Sequence, residues 1–138
     1  MEYSVEAVHQ EGLRFVATAG SHSVTTDYPL KADDVGAGQR PLEMLLASLA
    51  SCAGGALVVL LRRGGHRVGG LTVRARGVRR SEHPTVFTEI ALEFVVCGNL
   101  ERSVVAEALE QSEARVCPVW AMLKPATPIS SSFRIVES

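Results

Sequence analysis

Pro41-Leu42-Glu43-Met44-Leu45-Leu46-Ala47-Ser48-Leu49-Ala50-Ser51-Cys52-Ala53-Gly54-Gly55-Ala56-Leu57-Val58-Val59-Leu60-Leu61-Arg62-Arg63 reads as one long helix around which the chain must be built. Proline suits its first position, because the N–H it lacks would be unpaired there anyway. Glu43 in the first turn and Arg62 and Arg63 in the last complement the helix dipole, and Gly64-Gly65 stops the run. From Met44 to Leu61 there is no charge, a length at which a membrane span has to be considered. Ser48, Ser51, Gly54 and Gly55 interrupt the stretch, Glu43 abuts it, and no other segment could span. It therefore reads as the central helix of a core, apolar nearly all round because it is covered on nearly all sides, and no membrane partner is expected.

Outward from this helix the pattern changes period. Before it, Tyr3, Val5 and Ala7 alternate with polar residues, and Arg14–Thr18 and Ser23–Asp27 suggest two more strands around a turn at Gly20-Ser21. Leu30–Arg40 has no period and reads as a mobile loop of a length that is often functional. After the helix, Val68–Val78 and Val86–Val96 read as long strands. Glu101–Ala114 carries apolar residues at helical spacing, Pro118–Leu123 can form a short helix, and Ile129–Val136 a last strand. The order strand-strand-strand-helix-strand-strand-helix-strand is α+β with mostly antiparallel pairing. At 138 residues the chain is expected to be one domain, residues 1–138.

Bulk composition excludes more than it suggests. The net charge of −1 and the scattered positions of 12 Arg and 2 Lys leave no footprint for nucleic acid. The first residues, Met1-Glu2-Tyr3-Ser4-Val5-Glu6, do not look like a secretory signal. The expected compartment is a reducing cytoplasm, where an odd number of cysteines stays as free thiols and any disulfide is transient. His9, His22, His66 and His83 fall in or beside turns and form no ligand cluster with the cysteines, so no metal is expected. No phosphate loop and no serine nucleophile elbow is present.

Two of the three cysteines stand out. Cys52 shares its helix face with Leu45, Ser48, Leu49, Gly55, Ala56 and Val59. It is either a small core residue or a thiol in an apolar pocket. An apolar setting raises a thiol's pKa, so an active Cys52 needs a cation or a hydrogen-bond donor, with Arg40 the best placed. Cys117, in Arg115-Val116-Cys117-Pro118-Val119-Trp120, precedes a proline that can open a helix. As the N-cap residue it would be the more acidic thiol. Cys97 at the end of a strand reads as structural. The two candidate thiols are 65 residues apart, so only the fold can join them.

The stretch Arg40 to Cys52 and the later Cys117-Pro118-Val119 resemble the OsmC/Ohr family of bacterial thiol peroxidases, and the order of elements is similar almost end to end. The resemblance implies antiparallel sheets around two central helices in an intertwined homodimer, with active sites near the subunit interface. It implies a thiol-dependent hydroperoxide reductase acting in oxidative stress defence. Cys52 would attack an organic hydroperoxide, and Cys117 would resolve the sulfenic acid as a disulfide. An external dithiol, often lipoyl-type, would reduce that disulfide without a bound cofactor. Arg40 and Glu43 would be the arginine–glutamate pair of the site, with Arg14 as second choice for the arginine. Leu45, Leu49, Val59 and Trp120 would line the substrate pocket. Glu43 lies nine residues before Cys52, nearly the opposite face of a straight helix, a place from which it would position a loop or the second subunit. Two other readings stay open: a protein of this fold that binds a small apolar ligand or senses oxidant without turnover, and a purely structural dimer.

Overall fold

The computed structural model describes residues 1–137. Two compact units divide the chain, residues 1–45 and residues 46–138. In the first, β1 (Glu6–His9), β2 (Phe15–Ala19) and β3 (His22–Thr26) form an antiparallel sheet in that order. The β2–β3 loop is two residues long with Gly20 first at φ +61°, the conformation a tight hairpin asks of its first turn residue. No apolar side chain of these three strands is buried. The first turn of α1 (Pro41–Arg63) closes this unit.

The loop before α1 is tied down rather than loose. Asp27 accepts hydrogen bonds from the Ala37 N–H (2.9 Å) and the Arg14 guanidinium (3.3 Å), and its own N–H donates to the Gln39 carbonyl. Gly38 backs directly onto the Thr25 carbonyl, leaving no room for a Cβ. The absence of sequence period had suggested mobility, but it could not reveal that one carboxylate gathers the segment.

In the second unit, β4 (Gly70–Arg79), β5 (Phe87–Cys97) and β6 (Ile129–Val136) make a sheet in that order. The β4–β5 pair is antiparallel and β5–β6 parallel. Pairing is thus mostly antiparallel, as the element order suggested. The exception follows from the helical crossover between β5 and β6, which parallel neighbours require. That crossover is α2 (Arg102–Gln111), a wide π-helical turn (Ser112–Val116) and α3 (Pro118–Leu123).

Strict alternation on β5 turns Ile90, Leu92, Phe94 and Val96 into the core. They meet Leu49, Ala53, Leu57 and Leu61 of α1, Val105 and Leu109 of α2, and Trp120 of α3. Each fully buried side chain of this size stabilises by about 1.5–3 kcal/mol. Gly54 lets α1 approach β4, since a Cβ there would sit 3.0 Å from Val73 Cγ2. By length and composition α1 could cross a bilayer, yet it supplies much of this core, and 33% of its most apolar stretch is buried. The cover expected on nearly all sides is not met within one chain: Leu49, Ala53, Ala56, Leu57 and Leu61 are inside, while Val59 is 41% exposed.

Candidate active site

The site is built where the crossover returns to α1. Helix α2 widens after Gln111, and the turn closes through the Cys117 N–H donating to the Ser112 carbonyl at 2.9 Å. Cys117 leaves helical geometry (φ −77°, ψ 107°), and Pro118 starts α3 with its fixed φ. Cys117 is therefore the N-cap of α3, as its place before a proline suggested. Its sulfur accepts the Trp120 N–H at 3.4 Å. Trp120 is fully buried and lies nearly parallel to Phe94, with ring centroids 6.4 Å apart. Ser112 is also fully buried, and its hydroxyl donates to the Ala53 carbonyl of α1 at 3.3 Å.

Cys52, one residue before Ala53, is half-buried, whereas Cys117 is 1% exposed. Both thiols are free, and Cys52 is a neighbour close enough to perturb Cys117. Burial pushes the Cys117 thiol up to about 11, with the contact to Cys52 adding to the rise and the backbone N–H groups of Trp120 and Val119 opposing it. This runs against the expectation that the N-cap position acidifies Cys117. A cap position gives the sulfur one long N–H contact on a six-residue helix, and removal from water outweighs that. Cys117 keeps its proton at neutral pH. The pair thus joins a half-buried cysteine to a buried one.

The other candidate residues divide between the units. In the first, the Arg40 N–H donates to Glu43 Oε1 at 2.8 Å, so Glu43 reaches back from the third helical position to cap α1. The Arg40 guanidinium stands over the Tyr28 ring, 4.9 Å from its centroid. Arg14, the second choice for the cation, is engaged by Asp27 and Glu11. Leu45 lies in the second turn of α1. In the second unit, Leu49 and Trp120 are fully buried and back the core rather than line open space, while Val59 is partly exposed. Cys97 sits half-buried at the end of β5.

Three hollows of about 210, 330 and 320 Å³ lie elsewhere in this unit, beside His66 and Glu107, beside Arg76 and Ser130, and along Ser51, Gly54 and Gly55. Neither Cys52 nor Cys117 lines any of them. Among the described residues no cluster of three His, Cys, Asp or Glu side chains could hold a metal ion. Sequence reasoning missed Ser112 and Asp27. A serine in a polar helical stretch gives no sign that it will be buried, and the π-turn that buries it has no pattern of its own.

The sequence profile of the family described as OsmC-like protein matches residues 32–132. Protein YhfA of Escherichia coli strain K12 is 32% identical over 130 residues, covering 93% of this chain and 94% of that protein. A hypothetical protein from Aquifex aeolicus VF5, known from its crystal structure, superposes with a TM-score of 0.89 at 25% identity, covering 100% of this chain and 98% of that one. The organic hydroperoxide resistance protein OhrB of Bacillus subtilis shares the fold with a TM-score of 0.70 at 18% identity, covering 97% of this chain and 98% of that one.

Proposed function

The chain belongs to the OsmC-like family, and from that membership together with the paired thiols we propose that it is a cysteine-based peroxidase for organic hydroperoxides. The carrying observation is that a half-buried Cys52 neighbours a buried, protonated Cys117. Cys52 thiolate attacks the outer peroxide oxygen. The O–O bond breaks, the alcohol leaves once it takes up a proton, and Cys52 becomes a sulfenic acid. The Cys117 sulfur then attacks the Cys52 sulfur, and hydroxide leaves with the Cys117 proton as water. A soluble dithiol, lipoyl-type in this reading, reduces the disulfide by exchange and carries away the two electrons. By the family resemblance Arg40 is assigned to polarise the peroxide, and Glu43 caps the start of α1. Leu45, Leu49, Val59 and Trp120 supply the apolar surroundings. A homodimer in a reducing cytoplasm, serving oxidative stress defence, is part of the same reading.

Replacing Cys52 with Ser is expected to abolish dithiol-dependent loss of an alkyl hydroperoxide, by at least about a thousandfold, the scale seen when a nucleophile that acts within a unit is lost. Retained turnover in Cys52→Ser overturns the assignment. A second reading is a thiol switch that senses oxidant, or a binder of a small apolar ligand, without efficient turnover. It is favoured by the hollows that avoid both cysteines and by the contact of Arg40 with Tyr28. Repeated recycling of the disulfide by a dithiol supports the peroxidase, and a single stoichiometric oxidation supports the switch.

A further inference from the structure

One residue touches both strands of the thiol pair without being a thiol. The Ser112 hydroxyl donates to the carbonyl of Ala53, the residue after Cys52, and the Ser112 carbonyl accepts the N–H of Cys117. Ser112 itself is fully buried. The second of these bonds closes a π-turn, which holds one residue more than an α-turn. In an α-turn Val116 would bond Ser112, and Cys117 would be rotated by about 100° around the helix. Val116 is instead 39% exposed, and Cys117 is the residue turned inward.

We propose that Ser112 is a positioning residue for disulfide closure, clamping the π-turn to α1 so that the Cys117 sulfur faces Cys52. The proposal rests on the reading of Cys52 and Cys117 as a reacting pair. It concerns the second chemical step, in which the S–S bond forms, the S–O bond of the sulfenic acid breaks, and the Cys117 proton leaves with the oxygen as water. In-line approach of one sulfur to the other tolerates little error, and a displacement of about 1 Å can cost a hundredfold in rate. The first step, attack on peroxide by the Cys52 sulfur, forms no bond to Cys117 and does not need the two sulfurs in line. Clamping therefore predicts a split between the two steps that a loss of packing would not produce.

The test uses the full chain carrying Cys97→Ser, which leaves two thiols to count. One equivalent of an alkyl hydroperoxide is added. Sulfenic acid is trapped with a cyclic dione to time the first step, and disulfide is followed by mass to time the second. Ser112→Ala is expected to form sulfenic acid at the parent rate and to close the disulfide at least about tenfold more slowly. Ser112→Thr and Ser112→Val add the same bulk and differ only in the hydroxyl, so they decide the matter should alanine fail to fold. Threonine is expected to close faster than valine, by about tenfold. Equal closure in Ser112→Ala and the parent, or equal closure in the Thr and Val variants, overturns the proposal. If the parent forms no disulfide at all, the reading of a reacting pair fails, and this proposal falls with it.

Discussion

Cys117 holds its proton because it has been taken out of water, and that decides its part in any thiol chemistry. Its ordinary value of 9.0 rises to about 11, from burial first and from Cys52 second. The folded state therefore keeps a proton that the unfolded chain has already lost between these two values. Stability that is fully present below pH 9 falls as pH rises toward 11. Following the Cys117 side-chain carbon by NMR in labelled protein, which separates it from Cys52, should show its step near pH 11, with stability declining across the same window. In Cys52→Ser that step should move down, because one cause of the shift is gone, yet stay above 9, because burial remains. A Cys117 step at or below pH 9 in the parent would mean that Cys117 is not sealed.

Among the elements, the loop before α1 is the one whose behaviour was least readable. Asp27 holds it through the Ala37 N–H, with Arg14 on the other side. The Ala37 hydrogen bond is the main reason the Asp27 carboxyl sits below its ordinary value of 3.8, and burial opposes it. The sign follows: the stabilisation is present above pH 4 and is lost as pH falls through the depressed value. Asp27→Asn should speed amide exchange at Ala37 several-fold at neutral pH and remove the acid dependence of that exchange. Unchanged exchange would show that the carboxylate does not hold the loop. Elsewhere the sequence pattern carried the fold well where charge or proline marks an end. Pro41 and Arg63 bound α1, Pro118 opens α3, and the last strand runs Ile129–Val136 as read. The first strand was placed at Tyr3 but begins at Glu6, since alternation alone says nothing about where a partner strand stops. Helix α2 was read through Ala114 but widens after Gln111, because the inward turn of Cys117 is set by Ser112 and Ala53, far away in sequence. The contact of Cys52 with Cys117 was beyond local reading for the same reason, and it took family resemblance to suggest that these two residues meet.

For the molecule as a whole, the unsatisfied surface is the informative feature. A three-stranded sheet that buries none of its apolar side chains cannot be self-sufficient, and α1 leaves part of an uncharged helix uncovered. Exposed Phe15, Val24 and Val59 are the kind of surface that another protein chain covers. A second copy is the occupant this account assigns. Sedimentation equilibrium at micromolar concentration should give twice the chain's 14.8 kDa, and a stable monomer would contradict it. The central claim, however, is chemical: peroxide oxidises Cys52, and Cys117 closes on it. The direct measurement is a free-thiol count before and after one equivalent of an organic hydroperoxide, with hydrogen peroxide beside it, in the parent protein and in Cys117→Ser. The account predicts rapid loss of two thiols in the parent, faster with the organic oxidant, and loss of one thiol without an internal disulfide in Cys117→Ser. No rapid loss with either oxidant would contradict it and leave the fold without the activity.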